Sequence, residues 1–351
     1  MNNKNLKPEL TSEVEVGADL GFLDGRINAN VTYYNTHTKN QTLPISVSPT
    51  TGYTGTVLNI GETQNTGYEF KLDVTPLQKT QTGVGVTLGG NFAIQNSKVL
   101  SLFGETKQLS LGGYTIANTR AVVGQPYSVL YVTDVNRDPQ GRAIVDPVTG
   151  YPSANPNLVN AGQTTPKYVL GLTQTVSYKF ITLSVTEEYR SGNVIFSQSL
   201  QSATAAGVSQ FSVSSDRQRF IFPNSVINTG TAANPVYTPN TTVSVQDGAL
   251  GFWDNGAFYQ SGSTYVTSGA FWKLREANLS FDLSKWIKKT GFIKRANFAI
   301  IGRNLFMWRP KTNNWVDPEF ANSATNGDIG VNSTQQMPAS RIYGANLTLT
   351  F

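Results

Sequence analysis

The chain has 351 residues, 39% hydrophobic and 14% charged, with a formal net charge of +5, no cysteine and a single histidine. That inventory excludes disulfides, thiolate metal sites, cysteine nucleophiles, histidine-based triads and multi-histidine metal centres. With a mean hydropathy of −0.24, even the most apolar stretches, such as Phe298-Ala299-Ile300-Ile301, fall far short of the roughly 18 consecutive apolar residues that a membrane-spanning helix needs.

In chain order, residues 1–9 lack the basic start, apolar core and small-residue cleavage site of a secretory leader. The expectation is that a leader lies on a longer parent chain, the alternative being that Met1 is an internal or artificial start. Strands are predicted over 14–22 and 26–36, flanking Asp24-Gly25, whose two residues accept the positive φ of a tight hairpin turn. In the second of these, Ile27, Ala29, Val31 and Tyr33 alternate with Asn28, Asn30, Thr32 and Tyr34. The alternation returns at 66–75, 83–95, 167–178, 180–190, 265–283, 292–306 and 340–351. In the last strand Tyr343, Ala345, Leu347, Leu349 and Phe351 share one face, with Gly344, Asn346, Thr348 and Thr350 on the other. An apolar face and a small polar face suit lipid outside and water inside, the dyad pattern of an outer-membrane β-barrel wall.

Connections alternate in length: short at 24–25, 76–82, 179 and 284–291, long at 37–65, 96–166, 191–264 and 307–339. Short periplasmic turns and long outer loops are the asymmetry of such barrels. Aromatic residues fall into two belts. Phe22, Tyr178, Phe180, Phe281, Trp286, Phe292 and Phe351 lie toward the inner rim, and Tyr33, Tyr34, Tyr168, Tyr189, Phe306 and Trp308 toward the outer one. About nine strands is an odd count, whereas single-chain bacterial barrels close with an even one. An open sheet would leave two unpaired edges in lipid. The expected fold class is therefore an all-β, antiparallel transmembrane β-barrel segment that is part of a larger barrel.

The chain resembles the C-terminal part of SusC/RagA-type TonB-dependent outer-membrane transporters of Bacteroidota. The resemblance is carried by Asn5-Leu6-Lys7-Pro8-Glu9 with residues 13–19, by Asn59-Ile60-Gly61 running into Asn65-Thr66-Gly67-Tyr68-Glu69, and by Phe271-Trp272-Lys273-Leu274-Arg275 with residues 276–280. It continues in Gly302-Arg303-Asn304-Leu305-Phe306, in Asp317-Pro318-Glu319 and in the stretch from Pro338 to Phe351. It implies that residues 1–351 are the C-terminal portion of a barrel of about 22 strands, with plug domain and early strands absent. It further implies residence in the outer membrane, oligosaccharide or peptide import, a SusD-like surface lipoprotein, and TonB engaged through the missing part. Tyr343, Leu347, Leu349 and Phe351 would then form the signal read by the barrel-assembly machinery. A secreted all-β binding or adhesive protein and a porin fragment are the competing readings; a sandwich would pack its apolar faces on each other.

Little in the chain suggests catalysis, and no cofactor, metal or nucleic-acid partner is expected. Glu187 and Glu188 point to opposite sheet faces. Asp134, Asn136 and Asp138 have calcium-loop spacing, but Pro139 replaces the required glycine and Val145 the bidentate glutamate, so a polar loop is expected. His37 is expected in a solvated loop. Lys285, Lys288, Lys289, Lys294 and Arg295 cluster at an inner turn, facing periplasm or lipid headgroups. Tyr114, Trp253, Phe258, Tyr259 and Trp315 lie in loops among Gly, Ser, Asn and Asp. That composition suits stacking on sugar rings or holding peptides, and equally packing against a lipoprotein or a neighbouring loop.

Overall fold

The computed structural model describes residues 6–46, 50, 52, 55–79, 83–254, 256–287, 291–319, 330–334, 337 and 339–351. Met1, Asn5, Lys288, Lys289 and Pro338 lie outside the described residues. Four long strands open the chain: β1 (Leu10–Phe22), β2 (Ile27–Ser46), β3 (Gly55–Leu77) and β4 (Val84–Leu102). Shorter ones follow: β5 (Gln108–Tyr114), β6 (Ala117–Val122), β7 (Val129–Val135), β8 (Ala143–Ile144) and β9 (Ala154–Gln163). After the hairpin β10 (Tyr168–Tyr178) and β11 (Ile181–Ser191) come β12 (Val194–Ser197), α1 (Gln198–Ala205) and α2 (Gln210–Val213). Next are β13 (Ser225–Asn228), β14 (Tyr237–Pro239), α3 (Leu250–Trp253) and β15 (Val266–Ser268). The chain ends with β16 (Phe271–Asp282), β17 (Arg295–Trp308), β18 (Val331–Asn332) and β19 (Ile342–Thr350).

Nine strands form one sheet in the order β1-β2-β3-β4-β10-β11-β16-β17-β19, antiparallel throughout, and these are the nine the alternation predicts. The sheet is open, with β1 and β19 as its edges. Register explains its two faces, because pairing aligns each strand's apolar set with its neighbour's. One row runs Ala18, Val31, Phe70, Phe92, Leu170, Tyr189, Trp272, Trp308 across eight strands. A polar row behind it runs Thr87, Thr175, Ser184, Asn278. On the apolar face Val16, Tyr68, Leu72, Leu183 and Ile300 are exposed; among the described residues no second sheet covers them, as a sandwich would require.

Aromatic contacts mark both ends of that face. Tyr33 and Tyr68 (5.1 Å) and Tyr189 and Trp272 (5.7 Å) meet toward the loop end, while Phe180 and Trp286 (4.7 Å) and Phe292 and Phe351 (4.9 Å) meet at the turn end. Tyr34 is a correction to the outer belt: its place in the register puts it on the polar face, opposite Gly67. A Cβ at Gly67 would collide with the Tyr34 ring, so the glycine is what lets the ring lie there.

Several boundaries differ from expectation. The turn after β1 has four residues, 23–26, with Leu23, Asp24 and Gly25 all at positive φ. Most of the predicted loop 37–65 is strand, because the β2–β3 pairing continues up to Ser46 and Gly55. Tyr265 is not in a strand but in a 3₁₀ turn, Gly262–Tyr265, and is fully buried. There a buried aromatic outweighs its own β propensity.

The remaining long connections all leave the same end of the sheet and fold on one another. β5, β6, β7 and β9 make a four-stranded sheet; β15, β12 and β18 bring the connections after β11 and β17 together. Their core is Ala117, Leu130, Val132, Phe196, Tyr265 and Val331, a satellite being Val245, Phe252 and Trp253. Burying a side chain such as Phe196 contributes on the order of 1.5–3 kcal/mol, which is why these segments form a cap and not solvated loops. α1 starts where the Ser197 side chain accepts from the Leu200 N–H at 3.0 Å, an N-cap.

Candidate functional site

The loop end of the polar face carries the densest charge constellation of the described chain. Lys273 on β16 is buried, with its ammonium 2.8 Å from Asp317 and 2.6 Å from Glu319. Arg275 reaches Glu319 through Nη1 at 2.7 Å and Glu188 through Nε at 2.6 Å, and Glu188 also pairs with Arg190. Lys273, Arg275 and Arg190 surround the buried Phe271 ring at 5.0, 5.7 and 5.8 Å, within cation–π range. The arrangement depends on a bulge: pairing shifts between Leu274 and Glu276 against β17 and between Thr186 and Glu187 against β16. Against β11 the extra residue is Arg275, whereas against β17 the extra residue lies on β17, where Asn304 and Leu305 face Arg275 alone; a bulge re-aims side chains at such a point. Opposite it in β17 lies Asn304, at positive φ.

This network pins the connection after β17 onto the wall. Burial pushes the Glu319 carboxyl up most strongly, but hydrogen bonds and charge from Arg275 and Lys273 outweigh it and hold the group down at about 2. The Asp-Pro-Glu stretch and the Lys-Leu-Arg stretch, separate blocks in the sequence, are thus two halves of one contact.

Of the loop aromatics, Trp253 and Phe258 come together, 5.3 Å apart and perpendicular. Trp253 is 5% exposed, stacks on Phe220 at 5.6 Å and donates through Nε1 to Gly248 O at 3.1 Å, so its surroundings are those of a core residue. Tyr114 packs 6.2 Å from Phe196 in the main cap core. Tyr259 is half-buried, its carbonyl accepting from Gln201. Trp315 stands apart and is 40% exposed. The five do not form one cluster.

The other candidates fall into place. Glu187 accepts from Trp272 Nε1 at 3.1 Å while Glu188 engages Arg275, which separates the two carboxylates. Asp134 is bound by Arg137 at 2.9 Å and by Ser263 at 2.6 Å, and Asp138 by Arg142 at 2.6 Å, so arginines occupy the carboxylates of the calcium-like spacing. For Asp134, desolvation opposes the charge, and the bonds from Arg137, Ser263 and the Val135 amide still hold the carboxyl below its ordinary range. His37 is not solvated in a loop: it sits within β2, 3.3 Å from Glu62. In the final strand Tyr343, Leu347 and Leu349 are exposed on an edge paired only to β17, and Phe351 follows its last residue.

Hollows on the polar face went unpredicted because each draws residues from distant strands. One of about 370 Å³ lies where β2, β3 and β4 meet the cap, lined by Tyr34, Thr36, Asn65, Gln95, Tyr127 and Gln163 among others. Another, of about 390 Å³, has a glycine floor at Gly89, Gly90 and Gly171.

A family model described as TonB dependent receptor-like, beta-barrel matches residues 1–305. The chain is 24% identical over 358 residues to TonB-dependent receptor P26 of Formosa agariphila, covering 93% of this chain and 32% of that protein. It is 32% identical over 71 residues to TonB-dependent receptor P3 of the same organism, covering 20% of this chain and 7% of that protein. Among solved structures it is similar to the RagAB peptide transporter, with a TM-score of 0.69 at 19% identity over 98% of this chain and 35% of that one. The RagAB peptide importer in its closed-closed state gives 0.68 at 18% identity, covering 98% of this chain and 35% of that one. The likeness is one of fold and agrees with the RagA-type sequence blocks; the chain spans 32% of P26 and 35% of the RagAB chain. A two-faced antiparallel wall, a cap of folded connections and a family model running from residue 1 to 305 place the chain in the TonB-dependent receptor-like β-barrel family.

Proposed function

We infer that the chain is the C-terminal wall and loop portion of a SusC/RagA-type importer in the outer membrane, taking up oligosaccharides or peptides. A plug domain, the TonB-interacting segment and the earlier strands would lie N-terminal to it, and a SusD-like lipoprotein would cover the cap. The observation that carries this reading is the register-aligned sheet, apolar on one face and polar on the other, with the described parts of its long connections gathered at one end. In this reading Trp315 is the loop aromatic best placed to meet cargo, with Tyr114 and Tyr259 at the margin, while Trp253 and Phe258 stiffen the cap. The test is deletion of the gene followed by uptake of labelled oligosaccharides and peptides with and without a protonophore. Loss of an energy-dependent uptake, restored by the intact gene, is expected. Unchanged uptake of both cargo classes, with the protein absent from outer-membrane fractions, would refute the reading.

A further inference from the structure

The hollow between the upper wall and the cap differs from the rest of the polar face in its chemistry. None of its lining residues carries a charge; they offer hydroxyls, carboxamides and two tyrosine rings. Its volume of about 370 Å³ falls in the ~300–1,000 Å³ range of small-molecule sites. The walls are braced. Ser97 Oγ both donates to the Tyr127 carbonyl and accepts from its N–H, each at 3.0 Å, fixing the Tyr127 backbone against β4. Gln95 Nε2 donates to Pro166 O at 2.7 Å and Gln163 Nε2 to Thr165 O at 2.9 Å, which leaves both carboxamide oxygens as acceptors. Tyr34 is seated over Gly67. The Tyr34 hydroxyl and the Asn65 carboxamide make no hydrogen bond among the described residues, so a donor and acceptors stand open on the wall side of the hollow, while the Tyr127 ring packs against the Val99 and Leu102 core.

From these features we propose that the hollow is a subsite for a neutral saccharide, a deepening that rests on the importer reading above. A sugar presents hydroxyls that both donate and accept beside apolar ring faces, and it matches carboxamides, hydroxyls and aromatic rings without needing a counter-charge. The local charge sets the selectivity. Thr36 donates its hydroxyl to the Glu13 carboxylate beside the hollow, and no Lys or Arg lines it, so a uronate or sulfated sugar would meet like charge with nothing to pair it.

The test uses outer-membrane vesicles bearing the protein, with vesicles lacking it as baseline. Fluorescently labelled malto-, cello-, xylo-, manno- and laminari-oligosaccharides are titrated alongside hexagalacturonate and hexa-alanine. At least one neutral glycan is expected to bind, with Tyr34→Phe and Asn65→Ala each weakening it about three- to tenfold, the worth of a lost hydrogen bond. Tyr33→Phe, one residue away on the apolar face, controls for insertion and should bind as the unaltered protein does. The inference is overturned if no neutral glycan binds, if only hexagalacturonate or hexa-alanine does, or if neutral-glycan binding is indifferent to both lumenal substitutions. Loss of energy-dependent uptake alongside intact glycan binding would count against the importer reading alone; intact uptake with binding indifferent to Tyr34 and Asn65 would count against this subsite alone.

Discussion

At the scale of single residues, Lys273 is the position where charge, burial and loop placement meet. Its side chain is 4% exposed and pairs with Asp317 and Glu319, 44 and 46 residues away. Removing one member of a buried ion pair costs about 3–5 kcal/mol because the partner charge stays desolvated. Lys273→Ala should therefore free the 311–319 segment from the wall, read as faster cleavage there by added protease, while strand content persists. A segment as resistant as before would mean that Arg275 alone suffices. The same network sets a pH dependence. Glu319 is depressed from 4.5 to about 2, so its contribution is fully present above pH 4.5 and is lost as pH falls toward 2. Protease protection of 311–319 should accordingly be flat from neutrality to about pH 5 and fall below it, and in Glu319→Gln it should be weak throughout. The participating residues could be noted in the sequence, since Lys273, Arg275 and Asp317 to Glu319 fall in family-like blocks, but their pairing could not. A contact spanning 44 residues leaves no local periodicity to read.

At the scale of elements, each wall strand was legible because alternation is local: a strand with one face in lipid and one in water writes its period into its own residues. The ends were less so. β2 and β3 outrun the alternating stretch, since a hairpin arm that continues beyond the wall is held by backbone pairing with no apolar face to announce it. The bulge at Arg275 against β11 was hidden for a related reason, being a property of two strands in register and not of either alone. The terminal element yields its own prediction. β19 is an exposed edge strand, and Phe351 meets Phe292 at the turn end. Phe351→Ser should lower the amount of folded protein reaching the outer membrane without altering the β19–β17 register. Membrane levels equal to the unaltered protein would remove any assembly role from the terminal aromatic.

At the scale of the molecule, the two-faced sheet makes an asymmetric prediction about added charge. Leu72→Arg places a guanidinium on the apolar face in the middle of the wall, at a cost of about 2–4 kcal/mol in lipid. Thr173→Arg places it on the polar face, where Lys71 and Asp73 already form an ion pair at 3.3 Å. Outer-membrane levels should drop for the first and hold for the second; equal levels would mean that the exposed apolar face does not meet lipid. The open edges at β1 and β19 carry unpaired backbone, and hydrocarbon tolerates only closed sheets, so in a membrane both edges require partner strands. By itself the sequence determined the nine wall strands, which of their faces is apolar, the end from which the long connections leave, and the kinship with RagA-type barrels. All of these are written in short-range alternation or contiguous motifs. Only the tertiary structure decided that those connections fold into a cap with its own core, that Asp317 and Glu319 clamp β16, that Trp253 is buried within that cap, and that an uncharged hollow opens beside Tyr34. Each of these depends on which distant segments meet, and packing between segments far apart in the chain is recorded in no single stretch of it.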